Sequence, residues 1–134
     1  MASLEYFAGF FDGEGSCGIY RVRNKPQIPV FRVSLCNNDP RPLQEAHVQF
    51  GGTVRPRLRT QRGKTTCNYE WYIYGKNADV FLKSIRPFTV IKSEQIDKFL
   101  SARLMLVGSG NRRTAESDRA IREAETILKT LKRC

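Results

Sequence analysis

The sequence predicts an α+β domain with one four-stranded antiparallel sheet, covered by helices on one face and open on the other. Three observations carry that expectation. Two pairs of segments, within residues 17–35 and 53–74, alternate in polarity at period two and are each joined by a turn. Segments with apolar residues at helical spacing precede each pair and fill most of residues 77–131. The polar positions of the strands are rich in arginine, which is not buried unpaired, so that face meets water or a polyanion. A chain of 134 residues, 40% hydrophobic, suits a single domain over 1–134 with one core.

The stretch from Leu4 to Ser16 starts as an apolar helix and ends in two glycines with a carboxylate between them. Leu4, Phe7, Ala8 and Phe11 share one face, and Tyr6 and Phe10 are apolar on another side, the pattern of a buried helix. Gly9 beside Ala8 lets another backbone come close. Gly13 and Gly15 mark the end of the helix, with Glu14 between them. A carboxylate there opposes the helix macrodipole, a conflict that a bound cation would remove. A solvated Glu after a Gly-rich stop is the plainer alternative. Next, Cys17 to Arg23 reads as a strand with Tyr20 and Val22 on one face and Arg21 and Arg23 on the other. Gly18 fits a bulge. Asn24-Lys25-Pro26 is a turn.

In the second strand, Phe31, Val33 and Leu35 point one way and Val30, Arg32 and Ser34 the other, while Pro29 fits an edge or an irregular start. Asp39 and Pro40 start a helix carrying Leu43, Ala46 and Phe50, which ends at Gly51-Gly52. The third strand sets Val54, Pro56 and Leu58 against Arg55, Arg57, Arg59 and Gln61. After a glycine turn at Arg62-Gly63-Lys64, the fourth sets Tyr69, Trp71 and Ile73 against Asn68, Glu70 and Tyr72. Asn77 can cap a helix with Val80, Phe81 and Ile85 inward, which Pro87 breaks. Ile96, Phe99, Leu100 and Leu104 mark another. Gly108-Ser109-Gly110-Asn111 is a connector. Thr114 can cap a final helix, about 114–132, with the stripe Ile121, Ala124, Leu128 and Leu131.

Charge narrows the function. Residues 1–20 carry −3, residues 21–64 carry +8 and residues 65–134 carry +5. Excess positive charge concentrated in one third of the chain is the footprint of a nucleic-acid surface. Arg55, Arg57 and Arg59 on alternate strand positions space three guanidiniums roughly 6.6 Å apart. A two-stranded ribbon fits the DNA major groove, where arginine pairs with guanine in two-pronged fashion. A charged, solvated strand edge would carry the same residues. No apolar run reaches the ~20 residues of a membrane helix, and the N-terminal stretch lacks the basic start of a secretory signal. The four cysteines, Cys17, Cys36, Cys67 and Cys134, form no CxxC and no cluster with the lone His47, so they read as thiols in a reducing compartment.

The run Phe7-Ala8-Gly9-Phe10-Phe11-Asp12-Gly13-Glu14-Gly15 resembles the signature of the LAGLIDADG homing endonucleases. The helix–strand order over residues 4 to about 107 is similar to the αββαββα order of that family, whose four-stranded sheet forms a saddle along the major groove. The resemblance implies that Glu14 binds divalent metal and is catalytic, with the Gly13 carbonyl as a further ligand and Mg²⁺ as the cofactor. It implies that Asn37 orders water, that Lys92 stabilises charge on the scissile phosphate, and that Arg41 is a basic residue beside the site. Asn stands at position 37 where the family usually has Gln or Asn.

By strand alternation, the same resemblance implies DNA contacts from Arg21, Arg23, Gln27, Val30, Arg32, Ser34, Arg55, Arg57, Arg59, Gln61, Asn68, Glu70 and Tyr72. One motif per chain implies a homodimer packed through the first helix, with Tyr6, Ala8, Gly9 and Asp12 at the interface. The expected activity is Mg²⁺-dependent double-strand cleavage of a long pseudo-palindromic DNA site. Two alternatives stand beside it: a maturase bound to group I intron RNA, and a catalytically silent DNA-binding protein on the same scaffold. The implied setting is a bacterial or phage-infected cytoplasm, or an organelle, with no membrane partner.

Overall fold

The structure is a computed structural model that describes residues 2–108 and 115–132. Its elements run α1 (Leu4–Glu14), β1 (Gly15–Val22), β2 (Lys25–Asn37), α2 (Arg41–Phe50), β3 (Thr53–Gln61), β4 (Lys64–Tyr74), α3 (Gly75–Ile85), a 3₁₀ turn (Arg86–Phe88), α4 (Ser93–Gly108) and α5 (Ala115–Lys132). The four strands form one antiparallel sheet in the order β1-β2-β4-β3. The α+β class and the αββαββα order are as the sequence predicts. The expected connector from Ser109 and the Thr114 cap lie outside the described residues.

The core lies between the sheet and the helices. Cys17, Ile19, Phe31, Val33, Leu35, Trp71 and Ile73 supply the sheet side and are buried. Phe81 of α3 is the hub of the helix side. Its ring meets those of Phe50 at 4.9 Å, Trp71 at 5.0 Å, Phe11 at 6.1 Å and Phe7 at 6.3 Å, all at steep interplanar angles. Such edge-to-face pairs suit the aromatic quadrupole, and they tie α1 to the sheet through α3. The Trp71 indole donates to the carbonyl of Gly51 at 2.8 Å, fixing the end of α2. The β3–β4 hairpin turns on Arg62 (φ 54°) and Gly63 (φ 77°), the two positive-φ residues of a type I′ turn.

Three expectations about side-chain direction are corrected. In β1 the face is inverted: Ile19 pairs with Phe31 and points inward, whereas Tyr20 and Val22 are exposed. Arg21 therefore points to the helix layer, where its Nε donates to Glu125 Oε2 of α5 at 3.2 Å. In α3, Val80 is exposed and Ala78 and Leu82 are buried in its place. In α4, Leu104 is exposed while Ala102 takes the inner position. Pro29 fits its place because β4 pairs with β2 only from Arg32 onward, leaving β2 a single neighbour there.

Candidate active site and nucleic-acid interface

The motif residues converge where α1 meets β1. Ser3 caps the start of α1, accepting from the Tyr6 amide at 3.1 Å. At the other end, the Gly15 amide donates to the Phe11 carbonyl. A Cβ on Gly15 would sit 2.2 Å from the Phe11 ring, so glycine there is set by close packing. Lys92, far along the chain, reaches this end. Its ammonium donates to the carbonyls of Phe11 (3.0 Å) and Gly15, and lies 5.6 Å from the centre of the Phe11 ring. A cation on the last carbonyls of a helix is favoured by the macrodipole. Within one chain, a lysine thus meets the dipole conflict read from the sequence.

Asp12 holds that lysine's segment in place. Its two carboxylate oxygens accept from the backbone amides of Val90 at 2.8 Å and Lys92 at 3.0 Å. Glu14 and Gly13 are exposed just beyond. The β1–β2 ladder ends at the Gly15–Leu35 pair, so Asn37, two residues past Leu35 and paired with Tyr69 of β4, lies at the same end of the sheet as Glu14. Asn37 Oδ1 accepts from the Asp39 amide at 3.0 Å. Asp39 in turn receives the Arg41 guanidinium on both oxygens, and these hydrogen bonds lower its carboxyl pKa to about 2. Asn37, Asp39 and Arg41 line a hollow with Tyr6 and Phe10 of α1.

The outer sheet face begins at this end. Arg32, Ser34 and Cys36 of β2, Asn68, Glu70 and Tyr72 of β4, and Arg55, Arg57 and Arg59 of β3 lie on it by register. Glu70 is only 4% exposed and sits beneath three arginines. Its Oε1 accepts from Arg32 at 2.8 Å and from Arg55 at 3.0 Å, and its Oε2 faces Arg57 at 3.5 Å. The guanidiniums of Arg32 and Arg55 stand 4.9 and 5.1 Å from the centre of the Tyr72 ring, within cation–π range.

Solved structures share this architecture. Homing endonuclease I-CvuI, in complex with the I-CreI target, superimposes with a TM-score of 0.74 at 17% identity, covering 96% of this chain and 80% of that one. The archaeal intron-encoded homing endonuclease I-Vdi141I, complexed with DNA, gives 0.73 at 18% identity, covering 96% and 82%. Homing endonuclease I-TnaI gives 0.70 at 23% identity, covering 98% and 95%. This chain has the LAGLIDADG homing-endonuclease fold. No protein-family model and no curated protein sequence matches it.

Set on the LAGLIDADG fold, the expected site residues divide. Lys92 joins Glu14 and Gly13 at the foot of α1, and Asn37 emerges at the same end of the sheet. Arg41 is turned to Asp39, its side chain largely exposed. On the sheet, Val30, Arg32, Ser34, Arg55, Arg57, Arg59, Asn68 and Tyr72 occupy the outer face, and Gln61 pairs with Lys64 at the hairpin tip. Arg23 sits in the exposed turn after β1, and the side chain of Gln27 lies outside those described.

Two expected roles change, those of Arg21 and Ala8, and Asp12 gains partners within the chain. Arg21 leaves the DNA set for its bond to Glu125. Ala8 is fully buried in its own core, so it is no interface residue; of the four residues expected at the interface, Tyr6 and Gly9 are the exposed ones. Asp12 is engaged inside the subunit by Val90 and Lys92. Tyr20 and Tyr74 are outer-face residues that the sequence reading missed. For Tyr20, the usable signal was Cys17 and Ile19, two buried-type residues on the opposite parity.

Proposed function

We propose that this chain is one subunit of a homodimeric, Mg²⁺-dependent endonuclease that makes a double-strand break in a long pseudo-palindromic DNA site. The observation that carries it is contiguity: the exposed Glu14 carboxylate lies at the end of the same sheet whose outer face carries Arg32, Arg55, Arg57 and Arg59. A duplex along that face presents its phosphates to Glu14. I-CvuI and I-Vdi141I, with the same fold, are seen on DNA, the former in the presence of Mg with its DNA not cleaved.

The donor set suits the cofactor. Mg²⁺ takes hard oxygen ligands and is commonly held by one or two carboxylates together with substrate phosphates. Among the described residues of one chain, no three His, Cys, Asp or Glu side chains form a ready-made metal cage. Glu14 and the Gly13 carbonyl would therefore hold the ion with the DNA and a second copy of the motif. When bound, it supplies charge neutralisation at the scissile phosphate and activation of the attacking water. Lys92 keeps a positive charge beside that phosphate, anchored by the Phe11 and Gly15 carbonyls. Asn37 presents an amide at the same end of the sheet to orient water.

Gly9 supports the dimer. It is exposed, and a Cβ there would meet nothing within 4 Å in the single chain. A glycine inside a helix is destabilising by roughly 1 kcal/mol relative to alanine. The fold of one subunit does not require it, whereas close approach of a second α1 does.

Glu14→Gln tests the active site. On the duplex that the wild type selects, cleavage should vanish while affinity in EDTA stays within about two-fold, because the sheet's contacts are untouched. Wild-type cleavage by the variant would remove Glu14 from the chemistry.

A further inference from the structure

We infer that Glu70 is a positioning residue for DNA recognition: its buried carboxylate fixes Arg32, Arg55 and Arg57 in one array and does not itself meet a base. The inference deepens the proposed DNA-binding role and rests on it. A glutamate on a groove-facing sheet could read cytosine by accepting from its amino group. Glu70 is instead buried, and its Oε1 already takes three donors. Arg32 Nη2 donates to Oε1 at 2.8 Å, as do Arg55 Nε and Nη2 at 3.2 and 3.0 Å. Arg57 Nη1 lies 3.5 Å from Oε2, with the Cys36 thiol at 4.0 Å.

Register explains why these side chains meet. Cys36, Glu70 and Arg55 are direct cross-strand partners in a row over β2, β4 and β3. Arg57 is the diagonal neighbour on β3, and Arg32 reaches back along β2. A buried carboxylate is tolerated only when paired, and here its partners are cations from both flanking strands. The Glu70 side chain is 5% exposed, whereas those of Arg55 and Arg57 are 53% exposed. The anion therefore lies under the cations, which keep free edges toward the groove. Tyr72 backs Arg32 and Arg55 with its ring, so each of these two guanidiniums is held by an oxygen and an aromatic face.

Three positive charges over one negative leave the cluster attractive to a polyanion. Removing the anion should not weaken general attraction to DNA. It should release arginines that are long and flexible when unpaired, and a mobile guanidinium contacts phosphate as readily as a base edge. Glu70 thus trades general affinity for discrimination. Arg59 provides an internal contrast, because the Glu70 pairs stop at Arg57.

The test compares wild type, Glu70→Gln and Glu70→Asp on a fluorescent random-sequence duplex pool, followed by selection and sequencing of bound DNA. Folding is checked by thermal unfolding. Glu70→Gln should bind the unselected pool as tightly as wild type, or up to about three-fold tighter. Its preference should fall by about ten-fold at several adjacent base pairs together, as expected when two-pronged arginine contacts are released. Glu70→Asp, which keeps the charge, should recover part of the preference, and it carries the test should the Gln variant fail to fold. Arg59→Ala should instead lower binding to all sequences alike.

A variant that changes preference at one base pair alone would make Glu70 a base reader and overturn the inference. Equal loss for all sequences with unchanged preference, or full wild-type discrimination without the carboxylate, would do the same. A wild type that binds no duplex at all would refute the DNA-binding reading itself, a result separable from the others because it appears before any substitution is made.

Discussion

Asp12→Ala should loosen the foot of α1 without touching the core. The wild-type carboxylate accepts from two backbone amides, Val90 at 2.8 Å and Lys92 at 3.0 Å, across 78 and 80 residues of sequence. Hydrogen bonds to a charged group contribute about 1.5–3 kcal/mol each where both partners are shielded. The Val90 contact is exposed, and water can replace it, so the pair together is worth about 3 kcal/mol rather than the full sum. For a chain of this size that is a fall in Tm of roughly 10 °C. Asp12→Asn keeps one neutral acceptor and should lose about half as much.

Denaturant unfolding gives the stability change, and amide hydrogen exchange at Val90 and Lys92 locates it. Exchange at those two amides should rise while that of Ile73 in β4 changes only as much as global stability does. The Lys92 ammonium would lose its fixed approach to the Phe11 and Gly15 carbonyls, so cleavage should slow more than DNA binding weakens. An Asp12→Ala protein within about 0.5 kcal/mol of wild type, with unchanged exchange at both amides, would refute the clamp.

Three other outcomes are expected. Phe81→Ala removes the ring shared by Phe7, Phe11, Phe50 and Trp71 and should destabilise the protein by about 3–5 kcal/mol in denaturant unfolding, since that side chain is fully buried. Asp39→Asn should abolish a pH-dependent term. Hydrogen bonds from Arg41 lower the Asp39 pKa from 3.8 to about 2, so the wild type's advantage over Asp39→Asn is complete above pH ~4 and disappears as pH falls through ~2. A difference that instead grew on acidification would contradict the pairing. Gly9→Leu should leave the monomer folded, because its Cβ meets nothing within 4 Å, while light scattering shows loss of a dimer and both-strand cleavage stops; a monomeric wild type would count against the shared α1 interface.

Elements were legible wherever the two faces of a segment differ in kind. In β2, Phe31, Val33 and Leu35 alternate with Arg32 and Ser34, so its register could be read directly. In β1, Cys17 and Ile19 compete with Tyr20 and Val22 for the inner face, and alternation alone does not choose. The Gly15–Leu35 pairing decides it, and that pairing is tertiary. In α3 the chain enters the helix straight from β4 at Gly75 (φ 57°), two residues before the expected Asn77 cap. This earlier start accompanies the inward turn of Ala78 and Leu82.

At the site, the Asp-Gly-Glu run identified the foot of α1 without showing how its two carboxylates differ. Asp12 is distinguished from Glu14 only by the segment at residues 90–92 folding against it. Glu70 read as one more polar residue on an outer face. That it is buried under three arginines depends on strand neighbours 13 to 38 residues away, which periodicity cannot supply.

The proposed reaction is cleavage of both DNA strands with a metal held by Glu14. The direct measurement is incubation of the purified protein with a plasmid library carrying randomised inserts, with Mg²⁺ or with EDTA, followed by sequencing of the linear ends. Linear product is expected only with Mg²⁺, with ends that map to one sequence of two-fold character over roughly two helical turns, and none is expected from Glu14→Gln. Intact plasmid from a folded wild type that binds the library tightly would contradict this proposal.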